Sequence, residues 1–330
     1  MNFDAIPKIE NHLHLEGAIP HSALWELIKK YGGDDTVKTP GQLKQKFVYT
    51  DFNNFIETWI WKNKFLREYD DFTLITDAVL KDLSDQNIKY AEIFISPSPF
   101  RKILDTRRII EAVSASTAQN SNIRTRLIVD LVRNLGPEEE IRTLYEMNEV
   151  KDLGIIGIGL GGSEKEFPAE LFGKVYEQAR KFGFRTTAHA GEAAGSASIW
   201  SALRTLRVER IGHGTHASDD PELMKYLSGH QVPVELCPIS NLRTGVIKSF
   251  DEHPVRKFID MGIPVSVNTD DPKMFGNSLA DEYLNLQTSF GFSDEEIISI
   301  ILNSINTLWL GEKEKSELLK DFRMTLSDIA

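Results

Sequence analysis

Apolar positions along this chain follow two alternating rhythms. Short runs dense in Ile, Val, Leu and Ala recur at 8–15 (KIENHLHL), 88–97 (IKYAEIFISP), 124–132 (RTRLIVDLV), 153–162 (LGIIGIGLGG), 184–192 (FRTTAHAGE), 209–215 (ERIGHGT), 232–240 (VPVELCPIS) and 263–272 (IPVSVNTDDP). Each has the length and composition of a β-strand. Between them the spacing becomes helical. In PAELFGKVYEQARKFG (168–183), Leu171, Val175, Tyr176 and Ala179 share one face and Gly183 closes the helix. HPVRKFIDMG (253–262) reads similarly, with His253 before Pro254 marking its start. SDEEIISIILNSINTLWLG (293–311) opens with a capping box from Ser293 to Glu296 and supplies the last barrel helix. After the second run the starts lie roughly thirty residues apart. Strands alternating with helices imply parallel pairing through βαβ units. Eight of them predict an α/β fold, a (β/α)8 TIM barrel.

The first interval breaks the rhythm. About seventy residues separate the first two strands, far beyond a usual βα connection. This insertion after strand 1, about residues 20–86, holds two helix-patterned stretches, 21–32 and 51–86. Phe52, Phe55, Ile56, Trp59 and Leu66 fall near one face, and Trp61 and Phe65 widen it. Such a stripe packs into a core, or forms a helical flap lining an aromatic pocket at the barrel mouth. No linker, repeat or low-complexity run appears, so residues 1–330 are read as a single domain.

Composition narrows the classes of function. With 41% hydrophobic and 26% charged residues the chain reads as an ordinary globular protein. A formal net charge of −11 argues against nucleic-acid and anionic-membrane partners. Cys237 is the only cysteine, which excludes an intrachain disulfide and fits a reducing compartment. It lies on an apolar strand, where a small buried hydrophobe is the default. No run of 18 apolar residues suggests a membrane span, and the N-terminus lacks the basic and apolar regions of a signal peptide. A cytoplasmic protein with no required protein partner is expected.

The unusual polar residues sit at the carboxyl ends of the strands: His12 and His14 on the first, His189 on the fifth, His213 on the sixth, Asp270 and Asp271 on the eighth. In this fold that end carries the chemistry. His12 and His14 alternate about Leu13 and therefore point together. Three neutral imidazoles and a carboxylate make an N/O set suited to one divalent metal ion, most readily Zn2+, with water completing the site. His12, His14, His189 and Asp270 are the expected ligands. Glu192, three residues after His189, is placed to take and deliver protons. His213, between two glycines, can orient or deprotonate the attacking water, and Asp270 can also accept its hydrogen bond. Barrels that bridge two metals with a modified lysine carry it at the end of the fourth strand. Here that strand ends GIGLGGSE, so a single metal is expected. His21, His216, His230 and His253 are assigned surface or helix-capping uses.

The ordered motifs HLHLEG, TAHAGE, RIGHGT, LCPISN and VNTDDP resemble the adenosine deaminase family of metal-dependent purine deaminases, from about residue 7 to about residue 320. The resemblance implies hydrolytic deamination of a small-molecule purine at C6 with release of ammonia. By motif, Glu192 protonates ring nitrogen N1, His213 stands beside the water, Asp271 faces N7 and the Gly162 backbone faces N3. The segment around Trp59, Trp61 and Phe65 resembles a mobile hydrophobic gate. Two positions depart from the adenosine-specific pattern. Glu16 stands where those members often carry the Asp that meets the sugar 5′-hydroxyl, next to His14, and GLGGSE replaces DLAGDE. Both departures resemble members acting on adenine or 6-aminodeoxyfutalosine. The GSAS segment offers no basic residue to a phosphate, although Arg243 and Lys248 lie after the seventh strand. The expected substrates rank adenosine or 2′-deoxyadenosine first, 6-aminodeoxyfutalosine second and adenine third. A catalytically inactive purine-binding barrel is the non-enzyme alternative, which retention of Glu192 and His213 disfavours.

Overall fold

The computed structural model describes residues 1–49 and 52–327, without the side chains of Phe52, Asn53 and Ser327. Phe52 of the aromatic stripe therefore lies, as a side chain, outside the described residues. Eight parallel strands follow one another in sequence order: β1 (Lys8–His14), β2 (Ile88–Ile95), β3 (Arg124–Val132), β4 (Ile155–Gly161), β5 (Arg185–Ala190), β6 (Arg210–His213), β7 (Val234–Leu236) and β8 (Val265–Val267). β8 returns to β1 through a parallel bridge between Leu13 and Asp270. There His14 N–H donates to the Asp270 carbonyl at 2.9 Å and Asp270 N–H to the His12 carbonyl at 3.1 Å. The sheet thus comes round on itself as a (β/α)8 barrel, with helices between the strands. β7 and β8 stop after three residues. Pro238, two residues past β7, lacks the N–H that would extend a ladder and opens the helix Pro238–Arg243, and Pro272 opens the helix Pro272–Phe275 after β8.

The main core lies between the strands and the surrounding helices and draws on residues from Phe3 to Leu326. A smaller apolar group inside the barrel, Phe94, Ile128 and Trp309, supports the histidines above. The Phe94 ring lies 4.8 Å from that of His12 and 5.1 Å from that of His14.

The insertion comprises α1 (His21–Lys30), α2 (Pro40–Lys46), α3 (Phe52–Asn63) and α4 (Tyr69–Asp85). α2 escapes the periodicity argument because Leu43 is its one buried residue. It forms because Thr39 caps Gln42 N–H and Pro40 occupies the first helical position. The 51–86 stretch is broken between Asn63 and Tyr69, where Asp71 Oδ2 accepts from the backbones of Arg67 (2.8 Å) and Glu68 (2.9 Å) and starts a new helix. The 168–183 pattern also differs from expectation. Its first turn, Ala169–Phe172, is a 3₁₀ turn before the helix Gly173–Lys181. The tighter winding shifts the phase, leaving Leu171 48% exposed and burying Phe172 in its place. Ser293 caps the helix Asp294–Thr307 by accepting from Glu296 N–H, as expected. Among the described residues no helix is long and apolar enough to cross a membrane.

Candidate active site

Strand alternation places Leu13 in the outer core and aims His12 and His14 inward. His12 Nε2 and His14 Nε2 lie 3.1 and 3.2 Å from His189 Nε2 on β5. Asp270 Oδ1 approaches His14 Nε2 at 3.3 Å and His12 Nε2 at 3.7 Å. Asp270 follows β8 in a left-handed backbone conformation, φ +65°. Its two backbone bonds to β1 hold that strained geometry and fix its carboxylate beside the two histidines.

Electrostatics make this cluster a cation cradle. Burial drives His12, His14 and His189 well below the usual imidazole range, so all three are neutral. His12 Nδ1 lies 2.7 Å from Glu235 Oε2, which assigns the proton to Nδ1 and leaves the Nε2 lone pair facing the cluster. Three nitrogens and one carboxylate oxygen, all within 4.8 Å of one another, converge without a donor sufficient for them. The donor set fits one divalent cation of the zinc type with a position left for water. Burial raises the Asp270 carboxyl to about 6, and a bound cation would draw it back towards the anion. Its second oxygen accepts from Ser240 Oγ at 2.6 Å.

His213 closes β6, also left-handed at φ +60°. Gly212 beside it is required, because a Cβ there would stand 2.9 Å from His12 Cε1. Asn241 sets the His213 tautomer. Asn241 Oδ1 accepts from Thr215 Oγ1 (3.0 Å) and faces His253 Nε2 (3.3 Å), so its amide nitrogen donates to His213 Nδ1 at 3.1 Å. The proton of neutral His213 then lies on Nε2, which has no partner of its own and faces Glu192 Oε2 at 3.7 Å and Asp270 Oδ2 at 3.9 Å. His253 is therefore buried and part of this network, not a surface residue; it also caps Val255 N–H.

Glu192 stands in the loop after β5 with its side chain 12% exposed. Burial, then the neighbouring Glu164, raise its carboxyl to about 8 against the opposing pull of Arg133. Glu164 also holds the loop in place, accepting from Gly191 N–H at 2.6 Å and Ala194 N–H at 2.9 Å. A cleft of about 500 Å³ passes between Glu192, Glu164, His216 and Thr244. Asp271 is buried with Oδ1 unpartnered, and burial followed by the adjacent Asp270 holds its carboxyl well above the usual range. Gly162 follows β4 with φ +97°. Glu16 is buried and accepts from Ser96 N–H at 3.0 Å.

The aromatic insert divides. Trp59 packs with Phe55, Met274 and Phe275, on the helix that directly follows Asp271, so α3 reaches the rim. The structure does not bring Trp61 and Phe65 to the cluster. Trp61 donates to Asp34 Oδ2 at 3.1 Å and meets Phe65 edge-on at 5.6 Å, both within the main core. Cys237 is buried with its thiol pushed well up, as a small neutral core residue. Sequence reasoning missed Glu235, Ser240, Asn241 and Glu164. The available signal was a lone polar residue inside an apolar strand or just past its end.

Over residues 7–324 the chain matches the adenosine deaminase family. It is 33% identical over 319 residues to the aminodeoxyfutalosine deaminase of Streptomyces avermitilis, covering 95% of this chain and 89% of that one. It is also 33% identical over 318 residues to the adenine deaminase of Chlorobium phaeobacteroides, covering 94% of each. A solved amidohydrolase from Burkholderia ambifaria with bound Zn shares the fold at a TM-score of 0.90 and 26% identity, covering 99% of this chain and 93% of that one. A barrel with this rim, matched along nearly its whole length, belongs to the adenosine deaminase family of hydrolytic deaminases.

Proposed function

We propose that this enzyme removes the 6-amino group of adenosine or 2′-deoxyadenosine by hydrolysis, giving inosine or 2′-deoxyinosine and ammonia. One observation carries the reading. A buried carboxyl still protonated at neutral pH, Glu192, faces the neutral His213 across 3.7 Å, beside a four-ligand cation cradle. His12, His14, His189 and Asp270 would hold one divalent cation, of the zinc type, and the cation supplies a water acidic enough to attack at neutral pH. Glu192 hands its proton to purine N1, which makes C6 electrophilic. His213 Nε2–H and Asp270 Oδ2 orient the attacking water. Asp271, held protonated, donates to N7, and Gly162 N–H meets N3. Trp59 and Phe55 cover the mouth from α3 and limit the entry of bulk water.

Adenine is the second reading, and a specific contact favours it. Lys62 on α3 donates to the Glu16 carbonyl at 2.6 Å and to Asn63 Oδ1 at 2.9 Å, which seats α3 over the side where a sugar would lie. The relative from Chlorobium phaeobacteroides carries the adenine deaminase name. The metal-loaded protein should be assayed by ultraviolet absorbance against adenosine, 2′-deoxyadenosine, adenine and 6-aminodeoxyfutalosine, comparing kcat/KM. The highest value for adenosine or 2′-deoxyadenosine supports the first reading, the highest for adenine supports the second, and the highest for 6-aminodeoxyfutalosine overturns both. No spectral change with any 6-aminopurine overturns both.

A further inference from the structure

Just past the end of β3, Asn134 sits in a single 3₁₀ turn, Arg133–Leu135, which Gly136 closes by donating to the Arg133 carbonyl at 3.0 Å. From that turn the Asn134 side chain crosses to the loop that follows β4. Its Oδ1 accepts from Ser163 N–H at 2.9 Å. On the way it lies against the backbone of Gly162, where a Cβ would stand 2.5 Å from Asn134 Oδ1 and 3.4 Å from the Arg133 nitrogen. Gly162 also has a φ of +97°, which disfavours any other residue there. The bare glycine therefore lets one side chain reach over it to the next amide.

Further bonds anchor the rest of this loop. Phe167 N–H donates to the Ser163 carbonyl at 3.1 Å and closes a turn. Arg133, fully buried, donates to the Phe167 carbonyl at 2.9 Å and to the His189 carbonyl at 2.6 Å. Glu164 reaches across to the loop after β5 through Gly191 and Ala194 N–H. Gly162 is the most freely rotating point of the segment. The barrel fixes the chain before it, where Gly161 pairs with Val132 of β3. Asn134 fixes the peptide after it. Ser163 and Glu192 line the same cleft. A purine with N1 at Glu192 carries N3 two ring positions away on the same edge, towards the start of this loop.

We propose that Asn134 is a positioning residue for the substrate: by holding Ser163 N–H it pins Gly162 from its far side and keeps the Gly162 amide aimed at ring nitrogen N3. The amide is then set before the purine arrives, and binding spends nothing on ordering it. The inference rests on the proposed function, which places N1 at Glu192 and N3 at Gly162.

Binding of products and their 3-deaza analogues tests it without turnover. Metal-loaded protein is titrated calorimetrically with inosine, 3-deazainosine, hypoxanthine and 3-deazahypoxanthine. In the parent protein, the N3-containing member of the tighter pair should bind about three- to tenfold better than its analogue, the worth of one hydrogen bond. Asn134 is exposed, so Asn134→Ala should keep the parent Tm and one metal per chain, while its N3 preference falls below about twofold. Asn134→Asp retains the oxygen that accepts from Ser163 and should restore the preference. A preference that survives Asn134→Ala overturns the clamp and leaves the N3 contact standing. So does a preference lost equally in Asn134→Ala and Asn134→Asp, which would make the carboxamide nitrogen the contact. Loss of metal from Asn134→Ala also overturns it, because the loop would then be supporting β5. A parent protein indifferent to N3 removes Gly162 from that nitrogen, and binding of none of the four removes the purine reading itself; the clamp falls with either.

Discussion

Two buried polar clusters meet at the His12 side chain, one on each of its ring nitrogens. On the Nδ1 side, charges alternate: Glu92 Oε2 meets Arg210 Nη1 at 2.6 Å, Arg210 Nε meets Glu235 Oε1 at 2.6 Å, and Glu235 Oε2 meets His12 Nδ1 at 2.7 Å. Further contacts surround the pair, although Arg210 Nη2 has no hydrogen-bond partner. Glu92 Oε1 accepts from Trp309 N–H at 2.8 Å, and the Arg210 guanidinium lies 3.6 Å from the Trp309 ring centre. On the Nε2 side, His12, His14, His189 and Asp270 present acceptors to one another. The first cluster carries its own cation, Arg210 between Glu92 and Glu235, and does structural work. The second is complete only around a cation. Both clusters are buried and polar, so what marks the functional site here is a set of acceptors with no cation of its own.

The comparison breaks most sharply at Glu192, which belongs to neither cluster and faces the incomplete one. Glu192→Gln keeps the shape and removes the transferable proton. Metal content by atomic absorption should stay at one per chain while kcat falls about 10²–10⁴-fold. Turnover near that of the parent would move the proton to another group. The first cluster is tested by Arg210→Met, which strands Glu92 and Glu235 as buried carboxyl groups. Denaturant titration should show a loss of about 3–5 kcal/mol. A loss below about 1 kcal/mol would mean that the cluster relaxes and was never a unit. The link between the two is Glu235. Glu235→Gln should weaken metal binding about 10–100-fold in competition with a chelator, because a neutral amide replaces the charged acceptor that fixes the His12 tautomer. Unchanged metal affinity would separate the clusters.

This contrast also explains what was legible in the sequence. The eight strands announce themselves because each is a short apolar run, and His12, His14, His189, His213 and Asp270 stand out at their ends as residues that seldom belong on a buried face. Arg210, Glu92 and Glu235 sit one per strand inside such runs, and their partners lie far off in the sequence, 118 residues between Glu92 and Arg210 and 223 between His12 and Glu235. Their meaning appears only when the barrel closes. Arg133, just past RTRLIVDLV, is of the same kind. The α3–α4 break and the 3₁₀ turn at Ala169–Phe172 were hidden for another reason. Each is decided by local capping or winding, which the hydrophobic period does not record.

The smallest effect concerns Glu164, which touches neither cluster yet tunes the acid between them. Glu192 must carry its proton to donate it, so the active form exists below its pKa and is lost as pH rises through it. Burial and Glu164 set that value at about 8, and a cation in the cradle lowers it. The alkaline limb of kcat should therefore fall at or below about pH 8. Glu164→Gln removes the like charge and keeps an oxygen able to accept from Gly191 or Ala194 N–H. Without that repulsion the carboxylate of Glu192 is easier to form, and the limb should move to lower pH by about half a unit. A limb displaced upwards would mean that loss of the loop clamp buries Glu192 further and outweighs the charge. A limb that does not move would assign the titration to a group that Glu164 does not reach, and with it the proton that N1 receives.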